Sequence, residues 1–132
     1  MGTVVRTIIG IVIEVASWFA LTLIFGVIAN LAWPEFAAAN HAFNTTQTVL
    51  FDQSMLITRL SIGALGSIIA AWLAALTVRD NRIAPLAGGI VLLAIFVPIH
   101  LSIWDKFPLW YHLTFLTSLP VLAFLGGKLA RS

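Results

Sequence analysis

The chain has 132 residues, of which 61% are hydrophobic and only 9% charged, with a mean hydropathy of +1.05. A soluble domain is about 45–50% apolar and about 25% charged, so this sequence lacks the charge to cover a water-exposed globule, and lipid is its expected solvent. Its net charge of +2 rests on seven Lys and Arg, too few for a nucleic-acid patch, and the absence of cysteine excludes disulfides, thiolate metal sites and a cysteine nucleophile.

The first apolar stretch predicts a transmembrane helix over about 7–29, because a hydrocarbon core of about 30 Å needs about 20 residues of helix. It is too long for the apolar region of a signal peptide, about 7–15 residues. Glu14 lies inside it, the one acidic side chain set that deep. A carboxylate in hydrocarbon costs several kcal/mol unless it is protonated, paired or wetted, so Glu14 is a functional-site candidate by default. Gly10, Glu14, Ser17, Leu21 and Thr22 share one face at helical spacing, which predicts a carboxyl pointing into the bundle as a neutral acid.

Residues 33–54 form the one long connection, expected outside the membrane. Its start, Trp33-Pro34-Glu35-Phe36, suits a short interfacial helix with proline in the first turn and Glu35 near the positive end of the dipole. Phe36 and Phe43, one face apart, are expected to dip into lipid.

The second span covers about 55–78. Gly63, Ser67, Ala71 and Ala75 recur every fourth residue, with Gly66, Ala70 and Ala74 beside them. Such a small-residue face lets another backbone approach closely. It is the expected contact for a neighbouring helix and for other membrane subunits. Trp72 lies at the depth of Glu14 in this antiparallel helix and offers it an indole donor.

The third and fourth spans cover about 85–103 and about 109–127. Their short links predict that helices two and three pair, and that three and four pair. Pro98 and Pro120 each remove a helical hydrogen bond. Ser118, and the Leu116 carbonyl freed by Pro120, are further expected partners for Glu14. Asp105-Lys106-Phe107-Pro108 reads as turn and helix-start chemistry.

Arg59, His100 and His112 form a polar cluster towards the outer leaflet. The two histidines are equidistant from Lys106, which sets the imidazoles at one depth on adjacent helices. Two histidines suit a metal or haem, Arg59 suits a lipid headgroup, and all three suit interfacial hydrogen bonding. A close pair with no metal and no cofactor is expected. There is no nucleophile–base–acid arrangement, no phosphate-cradling glycine loop and no second acid beside Glu14, so no enzyme is expected. Arg6, Arg79, Arg82, Lys128 and Arg131 fall on one side of the membrane, and Arg59 and Lys106 on the other, which predicts cytoplasmic termini. Trp33, Trp104 and Trp110 then form an outer aromatic belt.

A carboxylate within Ile13-Glu14-Val15 of the first of four helices, faced by Trp72, resembles small multidrug resistance transporters. This weak likeness implies proton coupling at Glu14. The long 33–54 loop and the prolines of helices three and four depart from that family's pattern. Ile103-Trp104-Asp105-Lys106-Phe107-Pro108-Leu109-Trp110-Tyr111-His112 resembles small four-helix proteins of bacterial inner membranes, a likeness that implies architecture and location and no activity. The expectation is therefore an all-α, single-domain, multi-pass bundle in a bacterial inner membrane. It is a non-enzymatic accessory subunit that contacts the lipid bilayer and other membrane subunits or its own copies, and binds no nucleic acid. The alternative is a small proton-coupled transporter or ion pathway using Glu14.

Overall fold

The computed structural model describes residues 2–131. The helices are α1 (Thr3–Ala32), α2 (Pro34–Thr46), α3 (Gln53–Thr77), α4 (Ala84–Ser102) and α5 (Leu109–Arg131), with a 3₁₀ turn at Trp104–Lys106 before α5. No strand occurs among the described residues. All but α2 are long and apolar enough to cross a membrane. In lipid the backbone must satisfy its own hydrogen bonds, and an unbroken helix does so. α1 has 30 residues, a length of about 45 Å at 1.5 Å per residue. That exceeds a core of about 30 Å, so α1 either tilts or emerges from it.

Local signals set the helix ends. Pro34 stands in the first turn of α2 with Glu35 beside it. Gln47, at φ 58, closes α2 in the left-handed region, and its N–H donates to the Phe43 carbonyl at 3.0 Å. Asp52 caps α3, its Oδ1 accepting from the Met55 N–H at 2.9 Å. Asn81 Oδ1 accepts from the N–H groups of Ile83 and Ala84 at the start of α4, while its Nδ2 donates to Thr7 Oγ1 at 2.6 Å. The α3–α4 link is thereby tied under α1.

The bundle consists of two antiparallel hairpins laid side by side. α4 and α5 pair in a constant register that sets Pro85 against Gly127, Gly89 against Ala123 and His100 against His112. α1 pairs antiparallel with α3, Trp18 meeting Ser67 and Thr22 meeting Gly66. Across the hairpins, α1 runs parallel to α4 and α3 parallel to α5. This corrects the expectation for helices two and three: α3 and α4 stand on a diagonal and touch only weakly. Their link does not fold back on itself. It crosses the end of the bundle, where Val78 and Ala84 are buried and both face Gly10. The pairing of α4 with α5 is as expected.

The small-residue face of α3 is a tight contact and is used up inside the molecule. Gly63, Gly66, Ser67, Ala70, Ala71, Ala74 and Ala75 are all buried. A Cβ on Gly126 of α5 would run into the Ile68 carbonyl oxygen and stand 2.9 Å from Ala71 Cβ. One on Gly66 would stand 2.9 Å from Thr22 of α1. The stripe therefore serves α1 and α5, and is not free for another subunit.

α2 caps one end of the bundle. Phe36 and Phe43 do not dip into lipid as expected; they are buried, with Ala39, against Met55, Phe51, Leu56 and Phe107. The face that reads as lipid-seeking finds its apolar surroundings in the protein.

Candidate functional site

Glu14 sits on the seam between α1 and α4. The buried positions of α1 are Gly10, Glu14 and Trp18, one per turn. They lie along Ala84, Gly88 and Leu92 of α4, which are equally spaced and also buried. Glu14 is wholly buried. A Cβ on Gly88 would stand 2.5 Å from its Cδ and Oε1, so the carboxyl lies directly on the Gly88 backbone. Neither carboxyl oxygen has a hydrogen-bond partner among the described residues. The partners expected from sequence are elsewhere. Trp72 is 41% exposed on the outside of α3. Ser118 donates to the Phe115 carbonyl of its own helix at 2.6 Å. The indole that turns inward is Trp18, whose Nε1–H donates to Ser67 Oγ at 3.0 Å, while the Ser67 hydroxyl donates to the Gly63 carbonyl. Ser17, expected on the inner face, is only half-buried.

A cavity of about 370 Å³ opens further along α1, toward α2. At the terminal end Gly10 and Gly88 let α1 and α4 meet closely, and then Phe19 stacks on Phe96 with Trp18 packed edge-on and tilted against them. Beyond that wedge, Leu23 and Val27 of α1, Ile99 of α4 and Ile103 just past its end line the cavity. Leu23, Val27 and Ile99 are also exposed on the outer surface. The polar side chains in its lining are Arg59, Tyr111, Asn40, Asn30 and His100, set among Phe36, Phe43, Ile62 and Phe115.

Arg59 is held from several elements. Its Nε–H donates to Tyr111 Oη of α5 at 3.1 Å and its Nη1 to Asn40 Oδ1 of α2 at 2.7 Å. Asn40 Nδ2 donates in turn to Asn30 Oδ1 of α1 at 2.9 Å. The guanidinium carbon stands 4.7 Å over the Phe51 ring. Arg59 makes no ion pair among the described residues; the one present joins Arg6 to Asp80 at 3.7 Å, at the far end of the bundle. Asp52, nearer in sequence, is engaged as the α3 cap. Ser54 Oγ–H, foremost, and the Met55 N–H hold its carboxyl below the usual carboxylate value.

His100 and His112 come together as expected, with Nδ1 to Nδ1 at 2.7 Å. That separation is a hydrogen bond: two metal–nitrogen bonds of about 2.0–2.1 Å each would hold the atoms roughly 3 Å or more apart. His112 Nε2 lies 3.0 Å from the Trp104 carbonyl, which only accepts, so the proton is on Nε2. In the neutral ring His112 Nδ1 is then an acceptor, and His100 Nδ1–H donates to it. The His100 Nε2 lone pair is left unused on a ring that lines the cavity. Trp104 stacks on His112 at 4.4 Å and Phe115 on His100 at 4.7 Å, which fixes both rings.

No family model matches this chain. Comparison with curated proteins and with solved structures also gives no match. Asn40 and Gly88 were the site residues that sequence reasoning missed, whereas Tyr111 was expected near the same interface as Arg59. Phe36, Ala39, Asn40 and Phe43 share one helical face, and an amide among apolar residues on that face was the available sign that α2 turns a polar group inward. Gly88 had no such sign, because its role follows from which helix lies against α1.

Proposed function

We propose that this chain is a non-enzymatic integral membrane protein of a bacterial inner membrane, with both termini cytoplasmic, that serves as an accessory subunit to other membrane proteins. The observation that carries this reading is the sealing of Glu14. A carrier needs its carboxyl to meet water from at least one side, whereas Glu14 is fully buried on Gly88 and does not line the cavity. With the α3 stripe used internally, the surface for a partner is the outward flank of α1. Val4, Ile8, Val12 and Leu31 are each more than half exposed along it.

A photo-crosslinking residue at Val12, compared with one at Val121 on the outer side of α5, tests this. Protein adducts at Val12 with lipid adducts alone at Val121 are expected, and adducts between two copies of the chain would make the partner itself. Lipid adducts alone at both positions would overturn the accessory role.

One observation favours the proton-coupled alternative: both Glu14 oxygens are buried without a hydrogen-bond partner among the described residues. Buried polar groups are nearly always bonded, and an exception calls for an explanation such as function. Glu14→Gln separates the two readings, because the amide keeps the shape and cannot release a proton. Under the accessory reading the variant folds and crosslinks like the parent. Loss of a proton-linked flux with the fold intact would favour the carrier.

A further inference from the structure

We propose that the cavity at Arg59 is a binding site for an anionic phospholipid of the leaflet on the α2 side. The phosphate sits on the guanidinium, and an acyl chain leaves between α1 and α4. This is independent of the accessory role.

Three features meet there. The first is an uncompensated cation. Of the five N–H donors of an arginine, the Arg59 Nε–H and one Nη1–H are engaged by Tyr111 and Asn40. The remaining donors make no hydrogen bond among the described residues, and no carboxylate there lies within 4.0 Å of the guanidinium. A guanidinium carried into a membrane protein without a counter-ion is costly, and such charges face a pathway or a ligand. Arginine matches phosphate in a two-pronged geometry that lysine lacks.

The second feature is rigidity. Tyr111, Asn40 and the Phe51 ring hold Arg59 from three directions, and Asn40 is itself held by Asn30. A snorkelling side chain keeps its head free to reach water. This one is tied into a chain of hydrogen bonds that joins α1, α2, α3 and α5. An anchored donor loses little side-chain freedom when a ligand arrives.

The third is the shape of the opening. Apart from the cation and its partners most of the lining is apolar, and Leu23, Val27 and Ile99 belong at once to the cavity and to the outer surface of membrane-spanning helices. A soluble anion would find lipid at that mouth. An amphiphile already in the bilayer enters sideways with its chain in place. The unused His100 Nε2 accepts a hydroxyl, which suits a headgroup such as glycerol.

Native mass spectrometry of the full chain in mild detergent tests the site, with phosphatidylglycerol, phosphatidylcholine of the same chains, and inorganic phosphate as probes. The parent is expected to bind phosphatidylglycerol about tenfold more tightly than phosphatidylcholine, which has the same phosphate but whose choline cation opposes the guanidinium and offers no hydroxyl to His100. Inorganic phosphate should not compete. Arg59→Gln should erase the preference, and Arg82→Gln, at the opposite end, should preserve it. Val27→Trp alters a lipid-exposed position and keeps the fold; it should narrow the mouth and weaken both lipids. Equal binding of the two lipids by the parent would overturn the proposal. So would a preference that survives Arg59→Gln or is lost in Arg82→Gln, a Val27→Trp protein that binds like the parent, or competition by inorganic phosphate, which marks a soluble ligand.

Discussion

A single missing methyl group decides where the Glu14 carboxyl lies. Any side chain at Gly88 would occupy its space, a Cβ there standing 2.5 Å from Cδ. Gly88→Ala should therefore destabilise the protein in detergent by about 1–3 kcal/mol, as overpacking does elsewhere. Glu14→Ala combined with Gly88→Ala should recover much of that loss, because neighbours in contact couple. A Gly88→Ala protein that melts like the parent would mean the carboxyl does not rest on Gly88. Asp52 gives a second prediction at this scale. Ser54 and Met55 donate to it and hold its carboxyl below the usual carboxylate value. A group depressed on folding contributes stability that is present above its unfolded value and lost as pH falls through its folded one. The melting temperature of the parent should thus fall more steeply than that of Asp52→Asn between about pH 5 and about pH 3. Parallel curves for the two proteins would show that the cap does not titrate with folding.

Helix α3 shows what an element with almost no side-chain bulk does in a bundle. Its Gly, Ala and Ser rows let α1 and α5 approach on two sides, and dispersion between close backbones replaces the hydrophobic drive that lipid does not supply. Ala71 is wholly buried, and the site of a Cβ on Gly126 lies 2.9 Å from its Cβ. Ala71→Leu should cost about 1–3 kcal/mol in detergent. Unchanged thermal stability would place that stripe in lipid. α2 makes a different point. Its apolar face resembles a membrane-surface helix because the same periodicity serves any apolar neighbour. Phe36, Ala39 and Phe43 pack on the end of the bundle, and Asn40 turns inward to hold Arg59.

At the scale of the whole molecule, Arg6, Arg79, Arg82, Lys128 and Arg131 gather at the end of the bundle that carries both termini, as the link between Arg6 and Asp80 reflects. Arg59 and Lys106 belong to the end capped by α2. The excess of Lys and Arg sets orientation in membranes, so reporter fusions after Arg131 and within α2 at Asn44 should give opposite signals, the first cytoplasmic. The same signal at both sites would overturn the orientation. The two candidate sites also divide along the long axis. The Glu14 seam belongs to the half where α1 and α4 meet through small residues. The Arg59 cavity belongs to the half where Trp18, Phe19 and Phe96 hold them apart.

The sequence by itself determined the class of fold, the four spans and the meeting of His100 with His112. Hydropathy and helical period are local properties, and a short turn forces α4 and α5 into one register. It also marked the α3 stripe as a packing face and Glu14 as a buried carboxyl. Only the tertiary structure decided which helices are neighbours. The 78–83 link is short enough to suggest that α3 and α4 pair, yet it crosses the bundle end and sets them on a diagonal. Glu14 therefore meets Gly88 and not Trp72, the α3 stripe is spent on α1 and α5, and Arg59 gains Tyr111 and Asn40. The reason is physical: periodicity says which face of a helix is buried, and the choice of the helix that covers it depends on side-chain volumes summed over the whole bundle.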